Sequence, residues 1–291
     1  MPIQTAKELL FEATDGKYAI GAFNVTNIIQ MEAVVEAHID HKAPLIIQTN
    51  VTPSRFLGKE VVVAVFRAVA NTAPIPIALN LDHCQDVEYC KTCADAGYTN
   101  IMIDASREDF EDNIRQTKEV VDYCHQLGTA STEGELGTVS GREDLFHIAE
   151  EEVALCNPQE AVEFIERTGV DLLAPAIGTV HGVYKTATPK VDFERFEKIF
   201  QMINGPRTRV PLVVHGGSGL SQEYVHRLIN LGASKFNVST DLKHTLIDTT
   251  YNYIFQHREE YDPGKVDAVA KDAIREKVGY WINLLGSAGK A

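Results

Sequence analysis

No stretch of the chain approaches the roughly 18 consecutive apolar residues that a bilayer-spanning helix needs. The opening "MPIQTAKELLFEATDGKYAIGAF" also lacks the charged-then-apolar order of a secretory signal, so a cytoplasmic protein with no membrane partner is expected. Positive charge is scarce too. Against 41 Asp and Glu stand 27 Lys and Arg, giving a net charge of −14 and a pI near 5.1, and the cations cluster nowhere along the sequence. A nucleic-acid partner requires a concentrated basic face, and none is expected here.

Cysteines number only five (Cys84, Cys90, Cys93, Cys124 and Cys156), an odd count that suits reduced thiols better than a disulfide framework. Cys90 and Cys93 form a CxxC, but within a helical-looking stretch that spacing is simply one turn, so it receives no redox or zinc role. A dinucleotide-binding glycine turn is missing as well: the first strand-like run leads into "GAFNVTN", which is not GxGxxG.

What is present is a regular alternation. Strand-like runs occur at "YAIGAFN", "APLIIQTN", "IALNLDH", "TNIMIDA", "TASTEGEL", "DLLAPAIG", "PLVVHGG" and "SKFNVST". Between them lie segments with apolar residues at helical spacing, such as "NIIQMEAVVEAHIDHK", "NIRQTKEVVDYCHQLG" and "SQEYVHRLINLG". Several end at a glycine suited to a C-cap, namely Gly97, Gly128, Gly169 and Gly232. Largely apolar runs imply strands covered on both faces in a parallel sheet. Eight such units in 291 residues predict a (β/α)8 TIM barrel, with an open doubly wound sheet as the runner-up. Residues 1–291 read as a single domain, and the tail after Asp241 reads as a terminal helical extension with a polar end.

Barrels of this kind gather catalytic groups at the C-terminal ends of their strands. The runs end on Asp82 and His83, Asp104, Glu133 and Glu135, His215, and Asn237 to Asp241, while His181 follows "LLAPAIG" by a few residues. A lone histidine at a strand end is ordinarily a hydrogen-bonded structural residue. Three from three strand ends, His83, His181 and His215, suit a catalytic Zn2+ that keeps positions open for substrate. The other seven histidines fall in helical or loop patterns and are left unassigned.

Asp82 is a partner of the metal ligands or a general acid/base. Glu135 and Glu143 flank "LGTVSGR", whose two glycines would let a loop move; a solvated loop carboxylate is the plain alternative for Glu143. Gly216, Gly217, Ser218, Asn237, Ser239 and Thr240 offer backbone and hydroxyl donors at the last two strand ends, where barrels often hold phosphate. Lys235 begins the eighth run, at the wrong rim for a Schiff base.

At these residues the chain resembles the class II, metal-dependent ketose-bisphosphate aldolases that act on fructose and tagatose bisphosphates. "NLDH", "EGELGTVSGRED", "GTVHGVYK", "VVHGGSGL", "KFNVSTD" and "LLGSAGKA" fall in family order across nearly the whole chain. The resemblance implies zinc ligands at His83, His181 and His215, with Glu135 at an acidic position used in alternate metal sites. It implies a catalytic aspartate at Asp82, a mobile-loop acid at Glu143, and a ketose-phosphate site at Gly182, Gly216, Ser218, Asn237 and Thr240. A monovalent cation, Na+ or K+, binds near those glycines in some members.

The implied reaction is reversible cleavage of a ketose 1,6-bisphosphate to dihydroxyacetone phosphate and an aldehyde, in a homodimer or homotetramer. Two departures stand out: "DPGK" with Gly264 where many members have "DPRK", and Asn50-Val51-Thr52 where they often have Ser-Glu-Gly. Loss of that arginine removes a strong contact to a distal phosphate, leaving Arg55, Arg142 and Arg275 as candidates to replace it.

Other readings are an aldolase of the same family acting on a different ketose 1-phosphate, a metal-dependent sugar-phosphate isomerase or epimerase, and a non-catalytic sugar-phosphate sensor. A hydrolase is disfavoured, because the residue two after Ser218 is Leu220 and the GxSxG elbow is broken.

Overall fold

The computed structural model describes residues 2–143, 146–148, 153–182, 184, 189–205 and 208–291, with 142–143 and 146–148 described as backbone only. In chain order the strands are β1 (Ile20–Asn24), β2 (Leu45–Asn50), β3 (Ile77–Cys84), β4 (Asn100–Ile103), β5 (Ser131–Leu136), β6 (Ser140–Glu143), β7 (Phe146–Ile148), β8 (Leu172–Pro175), β9 (Val180–His181), β10 (Leu212–Val214) and β11 (Ala233–Val238). Eight of them close a parallel barrel in the order β1-β2-β3-β4-β5-β8-β10-β11, with β11 returning to pair with β1. Each of the eight runs read from the sequence supplies one barrel strand, and the (β/α)8 expectation holds. The remaining three strands, in the order β7-β6-β9, make a small sheet that the sequence reading did not foresee.

The helices are α1 (Ala6–Gly16), α2 (Ile28–His41), α3 (Val51–Leu57), α4 (Lys59–Ala70), α5 (Val87–Ala96), α6 (Phe110–Leu127), α7 (Pro158–Thr168), α8 (Phe193–Ile203), α9 (Gln222–Asn230), α10 (Thr240–Gln256) and α11 (Pro263–Leu284). Their ends follow local chemistry. Asp86, Asp109, Asn157, Asp192 and Ser221 each accept a backbone N–H in the first turn of the helix they precede. Gly97, Gly128 and Gly169 close α5, α6 and α7 in the left-handed conformation that a side chain would resist. The tail holds two helices rather than one: α11 buries Ile274, Val278, Trp281 and Ile282, whereas α10 buries only Leu242.

Alternation along each strand sorts residues between the helix layer and the barrel interior. At the lower end of the interior, Ile20, Ala22, Ile46, Ala78, Leu172, Ala174 and Val213 form an apolar layer with Ala6, Leu9, Leu10 and Ala13 of α1. Thus α1 plugs the N-terminal mouth, and burying Leu9 and Leu10 there is worth about 1.5–3 kcal/mol each. A reciprocal capping box between Thr5 and Glu8 fixes where this plug begins. Two residues further along β1, β2 and β3 the interior turns polar at Asn24, Gln48 and Asn80. Asn100, Glu133 and Lys235 are buried on the neighbouring strands, Glu133 and Lys235 pairing in register with Leu172 and Ile20. No helix among the described residues is long and apolar enough to cross a membrane.

Candidate active site

Three buried imidazoles meet at the C-terminal mouth of the barrel. Nitrogens of His83, His181 and His215 lie within 4.8 Å of one another, and their ring centroids are 4.6 to 5.8 Å apart. His215 follows β10 directly, and His83 is the second-to-last residue of β3. His83 is a rare non-glycine residue with positive φ, at +48°, beside a register shift between β3 and β4. Such backbone costs on the order of 1 kcal/mol and persists only where surrounding contacts enforce it. His181 belongs to β9, whose pairing with β6 sets Gly141 opposite it. A Cβ at Gly141 would collide with the His181 carbonyl oxygen, so glycine is required there by close packing.

Carboxylates stand behind two of these rings. Asp104 accepts from His83 Nδ1 at 2.8 Å and from Ser106 Oγ at 2.7 Å. Burial pushes the Asp104 carboxyl up, but the His83 contacts and Ser106 outweigh it and leave the group well below the usual carboxylate range. His215 faces a carboxylate at each nitrogen: Glu135 Oε2 at 2.8 Å from Nδ1 and Glu133 Oε1 at 3.1 Å from Nε2. Burial alone would lower the His215 pKa; these two hydrogen bonds raise it above the ordinary value. Glu133 is gripped on its other oxygen by Lys235 Nζ at 2.7 Å, with both side chains fully buried. Its own burial is overcome by the Lys235 charge and the His215 hydrogen bond, which bring it down to about 2.

The donor set suits a divalent cation: closely spaced, buried imidazoles oriented by carboxylates behind them. His83, Asp104 and Glu135 form a second group of potential ligands, also within 4.8 Å, which overlaps the first at His83. Glu135, expected on the metal side, is a member of this second group.

Asp82 is 1% exposed and surrounded by neutral donors. Its Oδ2 accepts from Asn24 Nδ2 at 2.9 Å, Gln48 Nε2 at 3.3 Å and Asn50 Nδ2 at 3.3 Å, and its Oδ1 from Asn237 Nδ2 at 3.0 Å. It shares a cleft with Asn24, His181, Gly182, Gly216, Gly217, Ser218, Asn237, Ser239 and Thr240, which brings all seven residues assigned to anion binding together. Gly216 has φ +67°, and a Cβ there would strike the Val180 carbonyl oxygen.

Two helices start near this cleft, and they differ. The terminus of α9 is already capped by Ser221, whereas Ser239 makes no cap hydrogen bond to α10 and its buried hydroxyl has no partner among the described residues. Asp241 N–H in the first turn of α10 donates to Ser218 Oγ at 3.4 Å, so the unpartnered donor there is the Ser239 hydroxyl, which suits an anion.

Glu143 lies in β6 and its side chain is outside the described residues, as is that of Arg142. Of the other cations considered for a distal phosphate, Arg55 is paired with Asp86 at 2.9 Å and Arg275 with Asp40 at 2.7 Å. All five cysteines are free and buried, and burial pushes the Cys93 thiol up to about 12, against a thiolate in the CxxC.

Sequence reasoning missed Asn24, Gln48 and the Lys235–Glu133 pair. Lys235 does not begin its strand: it is the third residue of β11 and points inward. Its place two residues before Asn237 on the same strand face was the available signal.

The family model for class II fructose-bisphosphate aldolase matches residues 4–290. A fructose-bisphosphate aldolase from Geobacillus stearothermophilus is 40% identical over 300 residues, covering 100% of this chain and 99% of the relative. One from Staphylococcus aureus is 37% identical over 294 residues, with both chains fully covered. Among solved structures, the YdjI aldolase from Escherichia coli K12 superposes with a TM-score of 0.84 at 31% identity, covering 99% of each chain. The chain belongs to the class II fructose-bisphosphate aldolase family.

Proposed function

We propose that the protein is a zinc-dependent lyase that reversibly splits a ketose 1,6-bisphosphate, of fructose or tagatose configuration, into dihydroxyacetone phosphate and glyceraldehyde 3-phosphate or a related aldehyde. The observation that carries this reading is the convergence of His83, His181 and His215 beside Asp82 and a cleft lined by three glycines and the unpartnered Ser239 hydroxyl. His83, His181 and His215 would hold the ion, with Glu135 as an alternate ligand; when bound, it supplies Lewis-acid polarisation of the ketose carbonyl.

The remaining work falls to the chain. Gly182, Gly216, Gly217, Ser218, Ser239 and Thr240 cradle the C1 phosphate, where Na+ or K+ would offset charge that no lysine or arginine meets among the described residues lining the cleft. Asn237 fixes Asp82, whose carboxylate takes the C4 hydroxyl proton during cleavage and returns it during condensation. Glu143 moves the proton at C3 of the three-carbon ketose.

The reading extends to a cytoplasmic homodimer or homotetramer. Ile247, Tyr251, Ile254 and Phe255 of α10 are 44–64% exposed and share one helical face, the kind of apolar surface that a second copy would cover. Sedimentation should show a single species heavier than the 32.2 kDa chain.

To test the chemistry, the purified enzyme is assayed for dihydroxyacetone phosphate release before and after chelation. Loss on chelation and return with zinc is expected, with no borohydride-trapped adduct. A chelator-resistant enzyme inactivated by borohydride and substrate overturns the mechanism.

A further inference from the structure

Beneath Asp82, the interior of the barrel carries a line of side chains that the reaction above leaves unused. Lys7 N–H, in the first turn of α1, donates to Ser131 Oγ at 3.3 Å, and Ser131 Oγ donates to Asn100 Oδ1 at 2.6 Å. Asn100 Nδ2 then donates to Asn80 Oδ1 at 2.8 Å, and Asn80 Nδ2 to Gln48 Oε1 at 3.0 Å. Gln48 Nε2 donates to Asn24 Oδ1 at 2.7 Å, and Asn24 Nδ2 to Asp82 Oδ2 at 2.9 Å. The five side chains between the helix and Asp82 are at most 3% exposed, so water does not compete for these bonds.

Every link runs the same way, and the two ends explain why. A backbone N–H can only donate, and a carboxylate can only accept. Each carboxamide offers one accepting and one donating end. Once Asp82 engages the amide hydrogens of Asn24 and Gln48, their oxygens face back down the barrel, and Asn80 and then Asn100 must turn their NH2 groups upward. Bonds in such a row polarise one another, and the row begins at the positive end of α1. Neutral donors hold the carboxylate without forming the ion pair that a lysine would.

We propose that Asn80 and Asn100 are positioning residues for carbon–carbon cleavage, acting on Asp82 through this one-way amide chain. The proposal rests on the proton-transfer role given to Asp82 above. Neither asparagine reaches the cleft that holds substrate; their effect is to keep the hydrogens of Gln48 and Asn24 aimed at the carboxylate, which fixes its orientation toward the C4 hydroxyl.

The test separates two partial reactions of the zinc-loaded enzyme: cleavage of the ketose bisphosphate, which uses Asp82, and exchange of a C3 hydrogen of dihydroxyacetone phosphate with solvent, which does not. Asn80→Asp keeps the shape but accepts from both sides, so Gln48 must turn its hydrogens downward and present its oxygen to Asn24 and Asp82. Cleavage kcat is expected to fall about tenfold or more, with KM, bound zinc and the exchange rate within about twofold of the parent enzyme. Asn100→Leu, which brings no charge into the barrel, breaks the chain one link further away and should lower cleavage about threefold with the same pattern.

Asp82→Asn serves as the control, losing cleavage while retaining exchange; if it cleaves normally, the role of Asp82 itself is wrong. If that control behaves as stated but folded Asn80→Asp and Asn100→Leu cleave at the parental rate, or lose cleavage and exchange in equal measure, the positioning role is overturned. Should Asn80→Asp fail to fold, Asn100→Leu decides alone.

Discussion

The two sides of the barrel interior bury polarity in opposite ways. On β1 to β4 the inward groups below the mouth are neutral amides, passing hydrogen bonds from Asn100 through Asn80, Gln48 and Asn24 to Asp82. On β5, β10 and β11 they are charges, running from Lys235 to Glu133, from Glu133 to His215 and on to Glu135. In the proposed reaction, the difference matches what each side would present at the top. A proton acceptor needs donors that orient it without forming an ion pair, and amides provide that. A metal-binding imidazole gains from carboxylates that fix its ring and raise its basicity, and those carboxylates in turn need a buried cation.

A neutral chain and a charged one should fail differently when cut. The largest effect is expected at Lys235→Met, which strands Glu133 as a buried, unpaired carboxylate. Breaking such a pair costs about 3–5 kcal/mol, whereas Lys235→Met combined with Glu133→Gln should lie within about 1–2 kcal/mol of the parent. Denaturant unfolding of the two variants checks this. A double variant as unstable as the single would show that Lys235 contributes through packing, and the charge contrast would lapse.

A smaller loss is expected on the amide side. Asn80→Leu leaves Gln48 Oε1 and Asn100 Nδ2 without their partners, but neither is charged. The cost should be about 1–3 kcal/mol by the same unfolding measurement. If it matched Lys235→Met, the two sides would not differ in kind.

How much of this could be read beforehand follows from what each residue does to a pattern. The eight barrel strands were legible because apolar, β-branched runs ending in polar residues repeat at regular intervals, and the three histidines stand at or just past such endings. The amides were not, since Gln48 in "LIIQTN" and Asn80 in "IALNLDH" look like interruptions in otherwise apolar strands. Their signal is parity: Gln48 and Asn50 on β2, and Asn80 and Asp82 on β3, are two apart and face the same way. The β6–β9 pairing was illegible because it joins segments some 40 residues apart through short strands with no apolar period. Ser239 and Thr240 were legible as donors at the last strand end, but that Ser239 keeps an unpartnered hydroxyl while Ser221 caps α9 depends on cap geometry that residue type does not reveal.

The smallest expected effect lies where the two sides meet, at the base of the barrel. Lys7 gives its backbone N–H to Ser131, starting the amide chain, and its ammonium to Asp171 Oδ1 at 2.7 Å. Asp171 also accepts from Thr132 N at 2.9 Å and meets His125 Nε2 at 3.0 Å, tying α1 and α6 to the foot of β5. Burial would raise its pKa, but the hydrogen bonds from Lys7 and His125 lower it below the ordinary carboxylate value. Because the Lys7 end is half-exposed, Asp171→Asn should cost only about 1 kcal/mol near neutral pH. The sign of the pH dependence follows from the lowered pKa: the folded state favours the ionised carboxylate. Its contribution is whole above the unfolded value of about 3.9 and disappears as pH falls through the lower folded value. Unfolding curves of parent and variant should therefore stay separated from pH 7 down to about pH 4 and converge below it. A separation that persists at acid pH would mean that Asp171 acts through its shape, and that the amide chain starts from a helix held in place without charge.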